Sequence, residues 1–162
     1  MDRIRVIPAR DEHVPVILSL IKGLADYERM TDEVVATEEG LRAWLFGERP
    51  AAEVVLACAD DAVVGFALFF HNFSTFLGRP GLYLEDLFVI PSWRGRGIGK
   101  MLLAHLAEIA VRRGCGRMEW AVLDWNQSAI GFYERMGARL LTQWRICRLS
   151  GDALARVAAD NA

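Results

Sequence analysis

Lysine is almost missing from this chain. Of its 19 basic residues, only Lys22 and Lys100 are not arginine. Set against 21 acidic residues, they leave a formal net charge of -2. That balance removes the general case for a nucleic-acid binder, which shows a basic stripe or a high isoelectric point. Any anion site has to be local. Cysteine is scarce as well: Cys58, Cys115 and Cys147 are odd in number and scattered along the chain. They exclude a disulfide framework and suit buried free thiols in a reducing compartment. His13, His71 and His105 lack metal-ligand spacing, so no metal is expected. No apolar run reaches the length of a signal peptide at the amino terminus, or of a membrane span anywhere. The expected setting is the cytosol, with no membrane partner.

What is present points to one core. The 162 residues are 53% hydrophobic and 25% charged, which fits a single domain over residues 1–162. "RIRVIPA" alternates as a first strand ended by Pro8. Asp11 is placed to cap a helix through "EHVPVILSLIKGLADYERM", with Val14, Ile17, Leu18, Ile21 and Leu24 on its apolar face. Thr37 opens a second short helix, although Gly40 stands where a capping box needs an acid or amide. "EVVLACA" and "AVVGFALFFHNF" are strands joined at "DD", and "LYLEDLFVI" is a third. A helix follows from about Gly97 to Arg113, with Ile98, Leu102, Leu106, Ile109 and Ala110 inward. "RMEWAVL" reads as a strand, "WNQSAIGFYERMGA" as a helix closed by Gly137, and "RLLTQWRICRL" as one or two strands. An Ala-rich, helix-compatible tail ends the chain. The sum is a mixed α/β sheet covered by helices.

"RGRGIGK", Arg94 to Lys100, is the most informative stretch. As a Walker A loop it fails, because Arg94 stands at the first glycine position and Met101 replaces the hydroxyl after Lys100. As a dinucleotide fingerprint it also fails: the last glycine position falls on Lys100 counted from Gly95, and on Leu102 counted from Gly97. What remains is physical. Gly95, Gly97 and Gly99 let backbone amides face one side with no Cβ in the way. They open a helix whose first amides lack internal acceptors, and Arg94, Arg96 and Lys100 add positive charge around it. A pyrophosphate suits such a place. A plain tight turn with solvated arginines is the simpler account of the loop alone.

Taken from "LYLEDLFVIPSWRGRGIG" to "WNQSAIGFYERMGA", the chain resembles the GNAT family of N-acetyltransferases. Arg94-Gly95-Arg96-Gly97-Ile98-Gly99 matches that family's R/Q-x-x-G-x-G/A loop at every fixed position, and Asn126 and Tyr133 match its asparagine and tyrosine on a later helix. "LIKGLADYERM", "LYLEDLFV" and "WNQSAIGFYERMGA" further resemble the diamine branch, which acetylates spermidine, spermine or thialysine. The segment "FHNFSTFLGRP" and the tail after Gly137 need not match. The resemblance implies a largely antiparallel sheet with a splayed, bulged strand and helices on both faces. It also implies acetyl-coenzyme A as cofactor, a small cationic amine as acceptor, and a homodimer. Arg94, Gly95, Arg96, Gly97, Ile98, Gly99, Lys100 and Asn126 are then cofactor-binding residues. Backbone groups of Phe88, Val89 and Ile90 would pair with the pantetheine as another strand does.

The chemistry narrows the remaining roles. A primary amine has a free pKa of about 10.4, so at pH 7 only about four molecules in ten thousand are neutral, and a base has to take the proton. Glu85 and Asp86 are the candidates, since acids inside an apolar run are costly as packing. Adjacent strand residues face opposite ways unless a bulge re-aims one, and the resemblance implies such a distortion. Glu85 is read as the relay through a water and Asp86 as the neighbour of the amine. The reverse is nearly as good, and a salt bridge to an arginine is the plain alternative. Tyr133 lies two helical turns from Asn126 and suits protonation of a thiolate; otherwise it is a core aromatic. Asn126 either caps its helix or holds the cofactor. Tyr27 and Glu28 are expected to line the acceptor pocket, unless they form an ordinary acidic helix end. Competing acceptors for the same chemistry are a protein N-terminus, an amino acid or an aminoglycoside. A coenzyme A-binding regulator without turnover is the other class.

Overall fold

The computed structural model describes residues 3–160. By internal contact the chain divides into two compact units, Met1–Ala121 and Val122–Ala162. The first contains β1 (Ile4–Pro8), α1 (Val14–Tyr27), α2 (Glu38–Phe46), β2 (Glu53–Ala59), β3 (Ala62–Ser74), β4 (Arg79–Val89), α3 (Ile98–Arg112) and β5 (Met118–Glu119). Its sheet runs in the order β1-β2-β3-β4-β5, antiparallel through β4. β5 lies parallel to β4 and pairs only at Leu82↔Met118 and Tyr83↔Glu119. Beyond Tyr83 that edge of β4 has no strand partner among the described residues, so the sheet is splayed there.

Both faces of the sheet are covered. In β2 every residue from Val54 to Ala59 is buried. Val54, Leu56 and Cys58 pack with Phe66 and Phe88 against Ile17, Leu20 and Leu24 of α1 and Leu45 of α2. The alternate set, Val55, Ala57 and Ala59, faces the other way, where α3 crosses β1 to β4 and buries Ile98, Leu102, Leu103, Leu106, Ile109 and Ala110. Arg113 closes this layer with a two-pronged ion pair to Glu53, at 2.6 and 2.9 Å, joining the end of α3 to the start of β2.

Local chemistry explains where α1 starts and stops. Asp11 does not cap it: its carboxylate accepts from Arg42 Nε at 2.8 Å, and a short 3-10 turn over Asp11–His13 precedes the helix. At the far end α1 stops at Tyr27, short of the expected Met30. Arg29 adopts a left-handed φ of 61°, Arg29 N donates to Asp26 O and Met30 N to Ala25 O. This paired closure usually employs glycine. Leu20, not Leu18, joins the buried stripe. Thr37 caps α2 by accepting from Gly40 N at 3.1 Å.

The second unit holds α4 (Gln127–Arg135) and α5 (Gly151–Ala159). Gly137, at φ 92°, ends α4 as expected, and Ala138 N donates to Tyr133 O at 3.1 Å. Two strand expectations need correction. The run "RMEWAVL" is a strand only at Met118–Glu119, and residues 139–149 form none. A strand requires a ladder partner, and the alternating pattern there finds none among the described residues. Leu140, Leu141, Trp144, Ile146 and Leu149 consequently stay exposed.

Candidate active site

The site begins with a register shift. Leu68 lies opposite Asp86, while the next β3 residue, Phe69, lies opposite Leu84. Glu85 is thus the extra residue of a β-bulge. The consequence can be read from the faces. Tyr83 sits opposite Phe70 and stacks on it at 5.1 Å, and Phe88 sits opposite Phe66 in the core under α1. Before the bulge, odd residues of β4 face α1; after it, even ones do. Glu85 continues the first phase and Asp86 begins the second, so two adjacent acids fall on the face toward α1.

The electrostatics agree. Burial, then the charges of Glu85 and Glu28, push the Asp86 carboxyl up to about 6. Glu28 reaches this cluster from the end of α1, and its own carboxyl is raised by burial. Tyr83 is raised by burial and by Glu85 and Glu119. The charges of Glu85 and Glu28 thus both act on Asp86. Their shared negative field suits a cation, and Asp86 is tuned to take up a proton near neutral pH.

The glycine loop leads into α3. Gly95 and Gly97 have φ of 76° and 79°, which a side chain disfavours, and a Cβ at either would meet nothing within 4 Å. Met101 N makes the first helical bond, to Gly97 O at 3.0 Å. The amides of Ile98, Gly99 and Lys100 precede it, so no carbonyl of the helix can serve them. Donors, open space and flanking cations fit a diphosphate group.

Two arginines of this loop are turned onto aromatic rings. Arg96 lies 4.4 Å over the Trp93 ring. Arg94 lies 4.6 Å over Tyr27 and 5.4 Å over Phe88, and its Nε donates to Val89 O at 2.9 Å. Ile90 N donates across the sheet to Val64 O at 3.0 Å, so the Val89 N–H and C=O point to the opposite, splayed edge. Arg94 covers that carbonyl. The ring stack was not expected from the sequence, although one signal was available. Gly23 costs its helix about 1 kcal/mol relative to alanine. A Cβ there would stand 3.0 Å from Phe88 Cε1, which explains the glycine.

Asn126 and Tyr133 belong to the second unit. Asn126 caps α4, its Oδ1 accepting from Ala129 N at 3.2 Å. Tyr133 is half-buried one residue from Phe132, with ring centres 5.3 Å apart.

Comparison with known proteins brings these features together. Residues 19–138 match the family model described as "Acetyltransferase (GNAT) family", a match that includes β4, the glycine loop and α4. The chain is 41% identical to the thialysine N-epsilon-acetyltransferase of Bos taurus, over 88% of this chain and 89% of the relative. It is 38% identical to the L-ornithine N5-acetyltransferase of Arabidopsis thaliana, over 94% and 86%. Among solved structures, an integron cassette protein from the mobile metagenome of V. cholerae aligns with a TM-score of 0.80 at 30% identity, covering 96% of this chain and 97% of that one.

Proposed function

This chain belongs to the acetyltransferase (GNAT) family and is an acetyl-coenzyme A-dependent N-acetyltransferase; we propose that its acceptor is the primary amine of a small polyamine, diamine or thialysine-like amino acid. The observation that carries this reading is that the bulge brings Glu85 and Asp86 to one face while the charges of both Glu85 and Glu28 act on Asp86. Three carboxyl groups exceed what one monovalent amine needs; they suit an acceptor with a second positive charge. The relatives named for thialysine and ornithine support the same class.

Acetyl-coenzyme A supplies the acetyl group as an activated thioester. Every other part of the reaction falls to the chain. The amides of Ile98, Gly99 and Lys100, with Gly95 and Gly97 clearing the approach, hold the diphosphate. The splayed edge of β4 from Phe88 to Ile90 lines the pantetheine, with the Val89 N–H as its donor. Glu28 and Glu85 hold the distal cation. The Asp86 carboxylate takes the proton from the attacking nitrogen, directly or through water; its raised pKa supports giving it this role ahead of Glu85. The Tyr133 hydroxyl returns a proton to the departing sulfur, and Asn126 aligns the helix that carries it. The role of Tyr133 rests on the resemblance of the motif, whereas that of Asn126 rests on its cap to Ala129 N.

The same reading makes the protein a cytosolic homodimer. The three cysteines are all unpaired, as suits a reducing compartment, although against expectation only Cys58 is buried, Cys115 being half-buried and Cys147 exposed.

The test is thiol release from acetyl-coenzyme A across an amine panel. Diamines, spermidine, thialysine and ornithine are expected to give kcat/KM at least tenfold above simple monoamines. A monoamine, an aminoglycoside or a peptide N-terminus that equals them would overturn the acceptor assignment.

A further inference from the structure

Arg94 opens the loop that holds the diphosphate, yet its side chain is committed elsewhere. Its guanidinium lies over the rings of Tyr27, the last residue of α1, and Phe88 of β4, while Nε holds the Val89 carbonyl on the splayed edge. Phe88 in turn packs on Gly23, one turn before Tyr27. The segments that build the two halves of the site therefore meet in a single stack. On one side stands the loop, on the other the end of α1 that presents Glu28.

We propose that Arg94 is a positioning residue which, through Tyr27 and Phe88, ties the geometry of the coenzyme A loop to that of the acceptor end of α1. The inference rests on the acetyltransferase reading for what the two halves bind, but the tie itself is a property of the free protein. A planar guanidinium is suited to the task because it offers a face to a ring while donating in its own plane to a carbonyl. An ammonium keeps the charge and loses that geometry. Tyr27 and Glu28 are sequence neighbours at the helix end, so a shift of the Tyr27 ring moves the base of the acid cluster with it. Arg29, held at a φ of 61°, fixes the turn immediately after.

Two measurements test this, on Arg94→Lys, Arg94→Gln, Tyr27→Leu and Tyr27→Phe. The first is hydrogen–deuterium exchange of the free protein. Arg94→Lys is expected to speed exchange at residues 24–30, and Tyr27→Leu to speed it at residues 94–100, each several-fold, with Tyr27→Phe close to the parent. The second is calorimetry with coenzyme A. Tyr27→Leu and Arg94→Lys are each expected to weaken binding about five- to tenfold, the range of a ring–cation contact. The double variant should be no weaker than the poorer single one. In steady-state assays the acceptor KM should rise in both single variants with kcat largely kept.

The proposal is overturned if Arg94→Lys binds coenzyme A like the parent while Arg94→Gln does not, since Arg94 would then act as a bare charge. It is equally overturned if Tyr27→Leu leaves exchange of the loop unchanged. A parent protein that fails to bind coenzyme A would remove the functional reading, whereas the exchange result would still decide the tie.

Discussion

Glu85 and Asp86 are neighbours in sequence whose carboxyl groups share one face of the sheet, because Glu85 is the residue that β3 leaves unmatched between Leu68 and Phe69. An unbroken strand would send them to opposite sides. The bulge thus creates a like-charge pair at the splay, and Glu28 completes it.

Asp86→Asn should lower kcat by about a hundredfold or more, within the range for loss of a positioned base. The acid limb of the pH–rate profile, expected near 6 in the parent, should vanish with it. Glu85→Gln should instead raise the acceptor KM and keep that limb. If the limb follows Glu85, the two roles are exchanged.

The same group carries a stability cost. Its folded pKa of about 6 exceeds the unfolded value of 3.8, so the native state binds the proton more tightly. The contribution of this group is full below about pH 4 and is lost as pH rises through 6. Asp86→Asn should therefore stabilise the protein by about 2–3 kcal/mol at pH 8 and by almost nothing at pH 3.5. Denaturant melts at the two pH values check the sign.

Gly97→Ala places a Cβ on a backbone at φ 79°, costing about 1–2 kcal/mol of strain or a relaxed loop. Apart from its chain neighbours, no described residue lies within 4 Å of that Cβ, so the loss should fall on the ligand rather than on packing. Coenzyme A affinity measured by calorimetry should drop at least tenfold with little change in acceptor KM. An unchanged dissociation constant would place the diphosphate elsewhere.

Tyr133→Phe should reduce kcat by about two orders of magnitude and leave coenzyme A affinity near that of the parent. Equal losses in both would mean that the ring packs against the cofactor and transfers no proton.

Trp144→Asp combined with Ile146→Asp should convert a dimer to a monomer in light scattering, since both side chains are about three-quarters exposed in the single chain. A parent protein that runs as a monomer would remove the dimer from the reading.

Several features were legible in the chain itself. The alternation of "RIRVIPA", the β-rich apolar run "EVVLACA", the spacing of Ile98, Leu102, Leu106 and Ile109, the Thr37 cap and the Gly137 stop are short-range patterns, and they fix strands and helices with little outside help. The glycines at 95 and 97 and the acids at 85 and 86 could likewise be picked out, because their cost is local and needs a reason.

Tertiary structure decided the rest. Whether residues 139–149 form a strand depends on a ladder partner, which no pattern within the segment supplies. Which face Glu85 and Asp86 take depends on how Leu68 and Phe69 register against β4, and the raised pKa of Asp86 follows from burial and from a helix end nearly sixty residues earlier. Arg94 looks like a phosphate ligand in sequence; only the meeting of α1 with β4 gives it two rings and a carbonyl to hold. Sequence sets what each segment prefers within a few residues, whereas charge, burial and stacking are summed over groups that only the folded chain brings together.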